Sequence, residues 1–319
     1  MSFELGIIML AVLTAVNCSL SGVFLVLRKK SMMSDAVSHA ILPGIVIGLL
    51  FTRSLESPFL IVGAALMGMV IVFVTEYLEN TRLLKGDASL GLIFPALFAI
   101  GVILVSLEFS NVHLDEHIIL VGDINFAAFF QLEINGVSIG PSYMYVLLAV
   151  LLLNVAFITV FYKEMKISTF DPSLAYSLGF KPRLINYMFM FLVSITITSA
   201  FYVAGSILTI ALMIAPAASA FLLTKRLFPM LLVSTLIAAS TAIGGFYTAY
   251  ALDAATSGAM ATFCGVFFVF VFLFSPYQGI IAKQIRHRRK RNALKDEVLA
   301  SEHRSVGHDH IGSDKVSCL

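Results

Sequence analysis

LGIIMLAVLTAVNCSLSGVFLVL, residues 5–27, carries no charge, and the next three residues are Arg28, Lys29 and Lys30. A helix of this length spans about 35 Å, enough to cross a hydrocarbon core of about 30 Å. Residues 1–4 contain Glu4 and no basic residue, so the positive charges follow the apolar run where a signal peptide would place them before it. The segment reads as a retained membrane helix with its N-terminus outside and Arg28–Lys30 inside, because basic residues stay cytoplasmic.

The rest of the chain repeats this pattern. Of 319 residues, 59% are apolar and 13% charged, against about 25% charged in an ordinary globular domain. Further runs of crossing length fall near 37–52, 58–78, 89–107, 142–162, 184–202, 204–224, 229–250 and 258–276. The expected fold is an all-α polytopic membrane protein with about nine transmembrane helices. Eight remain possible, because the runs at 184–202 and 204–224 almost touch. Nine spans of about 20 residues consume most of the apolar content and leave no room for a soluble catalytic domain. Residues 1–282 form the expected membrane domain and 283–319 a cytoplasmic tail.

With nine crossings and residues 28–30 inside, 20 of the 21 Lys and Arg residues lie on the cytoplasmic side, with only Arg53 outside. Between residues 108 and 141 the opposite holds: Glu108, Asp115, Glu116, Asp123 and Glu133 occur there without a basic residue, an outer face that attracts cations. Residues 117–132 within it are apolar enough for a re-entrant or interfacial segment. Cys18, Cys264 and Cys318 show no CxxC spacing and predict neither a disulfide framework nor structural zinc.

Polar residues in or beside membrane spans are costly and point to function. Asp35 and His39 stand four apart in Ser34-Asp35-Ala36-Val37-Ser38-His39, hence on one helical face. A carboxylate and an imidazole there make half a site for Mn²⁺, Zn²⁺ or Fe²⁺. Two donors bind weakly, which suits a carrier; the alternative is that Asp35 caps the helix. Pro43 and Gly44 interrupt the same run, as a broken helix on a substrate path or as a packing kink. On the cytoplasmic side, Asp171 in Phe170-Asp171-Pro172 can cap a short helix that Pro172 starts and Gly179 ends. Gly205 and Pro216 belong to small-residue stretches that favour close helix packing. The chain has no GxxxxGK[ST], HExxH or GxSxG motif, so it is not expected to be an enzyme or to hydrolyse ATP itself.

The run from Phe24 to Gly44, with Gly86-Asp87-Ala88-Ser89-Leu90-Gly91, Gly122-Asp123-Ile124, Phe170-Asp171-Pro172, Ala204-Gly205-Ser206 and Asp253 to Ala259, closely resembles the permease subunits of bacterial manganese, zinc and iron uptake ATP-binding-cassette transporters. The resemblance implies a type II importer-like permease in the bacterial inner membrane, paired with a second permease chain. It also implies a cytoplasmic ATPase subunit and an external metal-binding protein as partners. Asp35 and His39 would be transient ligands to the transported metal, and Phe170, Asp171, Pro172 and Gly179 part of a coupling helix against the ATPase. No permanently bound cofactor and no nucleic-acid partner are expected. His308-Asp309-His310 in the tail offers a further inner-side metal ligand set or a chance cluster. The main alternative to transport is a metal-binding membrane sensor or scaffold.

Overall fold

Apolar side chains dissolve in lipid, but each backbone N–H and C=O must find a partner within the chain, which selects helices. The computed structural model describes residues 3–52, 59–81, 87–108, 124–134, 137–276, 279, 283–284 and 291. Arg53, Arg82, Lys85, Gly86, Asn111, Asp115, Glu116, Asp123 and the tail residues His308, Asp309, His310 and Cys318 lie outside them.

The elements in order are α1 (Phe3–Leu27), α2 (Met32–Thr52), α3 (Phe59–Asn80), α4 (Asp87–Glu108), α5 (Ile124–Phe129), β1 (Gln131–Ile134), β2 (Val137–Pro141), α6 (Ser142–Val160), α7 (Tyr162–Phe170), α8 (Pro172–Ser177), α9 (Pro182–Leu223), α10 (Leu227–Leu252) and α11 (Thr256–Phe274). Among the described residues eight helices are long and apolar enough to cross a membrane: α1 to α4, α6, α9, α10 and α11. Many of their hydroxyls donate to backbone one turn back, as in Thr14 Oγ1 to Leu10 O at 2.8 Å and Ser194 Oγ to Met190 O at 3.0 Å, which lets serine and threonine sit in these spans, while Thr75, Thr198, Thr209 and Ser234 are buried without a hydrogen-bond partner among the described residues.

The 42-residue α9 contains two crossings. Gly205 breaks it with φ 77° and ψ 174°, a conformation open essentially to glycine alone. An unbroken helix would hold residues 189 and 213 about 36 Å apart. Instead, both touch neighbouring positions of α1: the Phe189 ring lies 5.6 Å from that of Phe24, and a Cβ built on Gly22 would overlap the Met213 carbonyl. Residues 206–223 therefore double back along 182–204 with no intervening loop, and the eight long helices supply nine membrane-length segments. Gly205→Val forces a β-branched residue into this backbone at a cost of about 1–3 kcal/mol. We expect a lower melting temperature for the detergent-solubilised variant, and wild-type melting would remove the reversal from the account.

The chain divides into Met1–Phe268 and Val269–Leu319. In the first unit α1 is central: 67% of its apolar window is buried, against 17% for α4, and it packs on α9, α10 and α6. In the second, the Phe270 and Phe274 rings lie 4.8 Å apart at the end of α11.

Of the two readings of Pro43 and Gly44, the structure supports packing. Helix α2 runs unbroken through Pro43 and Gly44, and these residues mark close packing. A Cβ on Gly44 would stand 2.6 Å from Gly63 O of α3, and one on Gly101 of α4 would stand 2.9 Å from Pro43 Cδ. The all-α polytopic fold also carries a small two-stranded hairpin. β1 and β2 pair antiparallel, with an irregularity between Leu132 and Glu133. The described part of the expected dip at 117–132 is α5 with the start of this hairpin. Helix α5 buries Ile124, Ala127 and Ala128 and sets the Phe129 ring 4.8 Å from that of Phe3 at the head of α1.

Candidate functional site

Helix α2 begins five residues before its apolar run because serines tie down its first turns. Ser34 Oγ donates to Ser31 O and Ser38 Oγ to Ser34 O, each at 2.8 Å. Asp35 is therefore the fourth residue of the helix, past the capping position, and the helix-cap alternative does not hold. Asp35 Oδ1 and His39 Nε2 stand 3.4 Å apart across one turn. Two ligands of a tetrahedral ion, each about 2.1 Å from it, are separated by about 3.4 Å. The pair is thus spaced to share one cation.

Helix α4 fixes the imidazole. The His39 ring stacks on Phe94, with centroids 5.6 Å apart at 28°, and meets Phe98 edge-on at 5.9 Å. The two side chains remain 40% (Asp35) and 30% (His39) exposed, which leaves one side of the pair open to further donors. Among the described residues no group of three or more His, Cys, Asp or Glu could hold a metal.

The Phe170–Gly179 segment forms a second local structure apart from this pair. Asp171 is the N-cap of α8, its carboxylate accepting from Leu174 N at 3.0 Å, with Pro172 in the first turn. Gly179 ends the turn at φ 82°, with Gly179 N bonded to Tyr176 O and Phe180 N to Ala175 O, each at 3.1 Å. This is a Schellman closure. Ala175 is fully buried beneath the helix, whereas Phe170 is 62% and Tyr176 76% exposed. The segment thus presents two aromatic side chains outward, Phe170 at the end of α7 and Tyr176 in α8. The Leu174 N–H holds the Asp171 carboxyl below its usual pKa. Its capping is therefore fully present above the ordinary carboxylate range and is lost only as pH falls through the depressed value.

Sequence reasoning passed over two polar groups. Asn17 and Asn154, each isolated in an apolar run, meet inside the bundle: Asn154 Nδ2 donates to Asn17 Oδ1 at 3.2 Å and Thr196 Oγ1 at 2.9 Å, and Asn17 Nδ2 to Leu147 O at 3.0 Å. This fully bonded staple joins α1, α6 and α9. The other is the cluster around Arg28, where Nη1 donates to Asn186 Oδ1 at 2.8 Å. The basic run at 28–30 had signalled only topology.

Residues 2–275 match the model of the ABC 3 transport family. The chain is 44% identical over 286 residues to the "Manganese transport system membrane protein MntD" of Bacillus subtilis, covering 90% of this chain and 97% of that protein. It is 46% identical over 315 residues to the "Zinc transport system membrane protein TroD" of Treponema pallidum, covering 98% and 84%. Among solved structures, "PsaBC from Streptococcus pneumoniae in complex with Fab" superposes with a TM-score of 0.72 at 25% identity, over 87% of this chain and 94% of that one. A multi-pass helical bundle matched along nearly its whole membrane part leaves one assignment: the chain belongs to the ABC 3 transport family.

Proposed function

We propose that this chain is the membrane permease of an importer that moves a divalent transition metal inward, driven by ATP hydrolysed on a separate cytoplasmic subunit. The observation that carries this reading is the Asp35–His39 pair, two hard-to-borderline donors spaced for one cation on a helix inside a family of transport proteins. Asp35 and His39 bind the ion in transit, and their open side leaves room for water or for the same pair of a second permease chain. The short helix α8, with Phe170, Asp171, Pro172 and Gly179, docks the ATPase. An external metal-binding protein delivers the ion to the acidic outer side. Residues 1–282 are the permease domain, with 283–319 a cytoplasmic tail.

Relatives bear the names of manganese and of zinc systems, and one carboxylate with one imidazole suits either metal as well as Fe²⁺. Uptake of radioactive Mn²⁺, Zn²⁺ and Fe²⁺ by cells carrying the intact system tests the function and selects the cargo. Loss of the chain should abolish uptake of one of them, and unchanged uptake of all three would favour a sensor or scaffold.

The 20-to-1 basic bias supports an orientation with the N-terminus outside and the C-terminus in the cytoplasm. Cysteines introduced at Lys166 and Lys225 should resist impermeant thiol reagents in intact cells, while one at Asn111 reacts. External labelling at position 166 would reverse the topology.

A further inference from the structure

We infer that the half-buried cluster centred on Arg28 transmits movement between the docking helix α8 and the turn leading into Asp35 and His39, making Arg28 and Glu76 positioning residues of the transport cycle. The inference rests on the reading of α8 as the ATPase-docking element and of Asp35 and His39 as metal ligands.

The cluster joins the required parts. Helix α1 ends in a Schellman closure, with Lys29 N on Val26 O at 3.1 Å and Lys30 N on Leu25 O at 2.9 Å, and Lys29 left-handed at φ 58°. Met33 N then bonds to Lys30 O at 3.0 Å and Ser34 N to Ser31 O at 3.2 Å, so backbone hydrogen bonds tie the end of α1 to the first turn of α2. A shift of Arg28 therefore carries Asp35 and His39 with it. On the other side, Arg28 Nε donates to Thr169 Oγ1 at 3.1 Å and Nη2 to Ser168 Oγ at 3.4 Å. Thr169 lies two residues before the Asp171 cap.

A third arm reaches α3. Asn186 accepts from Arg28 and donates to Glu76, which pairs with Lys30 Nζ at 3.3 Å. The guanidinium carbon also sits 4.9 Å from the centroid of the Phe189 ring. Among the described residues no carboxylate lies within ion-pair distance of Arg28. Hydroxyl, amide and ring contacts exchange more easily, while the flat five-donor fork keeps the parts connected. Transmission needs such an element, able to take two arrangements.

The test uses the permease assembled with its ATPase and binding protein in proteoliposomes, reading ATP hydrolysed per metal ion imported. Arg28→Lys keeps the charge and loses the fork. Glu76→Gln keeps the shape and loses the charge, and Thr169→Val removes one acceptor with little change of volume. Arg28→Lys and Glu76→Gln should raise the ratio about ten-fold, and Thr169→Val less, while metal binding to the solubilised complex stays within two-fold of wild type. Combining Arg28→Lys with Thr169→Val should uncouple no further than Arg28→Lys alone, because both cut one line. A wild-type ratio in the folded variants, or losses that multiply in the double variant, would leave Arg28 a structural staple and overturn the inference. Wild-type coupling in Asp171→Ala alone would instead remove the docking role of α8, whatever the cluster variants do.

Discussion

Asp35→Ala and His39→Ala should each abolish metal uptake in a chain that still inserts and folds. The pair supplies two donors 3.4 Å apart, and either substitution leaves a single donor. Removing an outer-shell partner of a metal ligand already costs about 10–100-fold in affinity or activity, and a direct ligand costs more. Both side chains are partly exposed, so their loss opens no closed cavity, and a change of about 0.5 kcal/mol or less in stability is expected at Asp35. His39 also packs between Phe94 and Phe98, so alanine there removes packing as well as a nitrogen. His39→Phe separates the two effects by restoring an aromatic ring without a donor. It should be as inactive in radiotracer uptake as His39→Ala, with thermal stability recovered. Normal uptake by Asp35→Ala, or by His39→Phe, would dismiss the pair as the transport site.

The membrane architecture was legible because hydrophobicity sets it directly. Apolar runs at 89–107 and 229–250 became α4 and α10 with ends within two residues. What the runs could not show was how 184–202 joins 204–224. Only the backbone at Gly205 decides between one long helix and a reversal, and a small residue among small residues carries no such signal. The hairpin β1–β2 was missed for a related reason: it lies in a segment whose apolar content resembles a membrane dip, while its pairing depends on register. At the candidate site, the one-turn spacing of Asp35 and His39 follows from sequence separation alone. Their aromatic neighbours come from α4, about 55 residues further along, and tertiary packing alone brings them there. Arg28 is the clearest case of a residue read correctly but incompletely. Its charge reports topology, and only the fold shows it bonded to α7 and α9.

The second large effect concerns energy coupling, in a segment whose local form does follow from its residues. Asp171→Ala removes the carboxylate that accepts Leu174 N and frays a helix of one and a half turns. Gly179→Val acts by a different route. A Cβ at Gly179 would meet nothing within 4 Å, so the substitution introduces no clash. Its whole cost comes from forcing a β-branched residue to φ 82°, where side chains are strained. Two unrelated perturbations, a lost cap and a strained end, thus converge on the shape of α8 and leave Asp35 and His39 untouched. In reconstituted complexes, both variants should bind metal as wild type does and lose uptake together with metal-stimulated ATP turnover. Because the Asp171 carboxyl is held below its usual pKa, wild-type coupling should show no loss from this group between pH 5 and 8, and α8 should fray only in stronger acid. A chain that senses metal without an ATPase would show no change in hydrolysis in either variant. A segment serving only as a capped linker would tolerate Gly179→Val with a small loss of stability and full uptake. Measuring hydrolysis and uptake on the same preparations separates these cases, and full activity in both variants would leave α8 without a role in coupling.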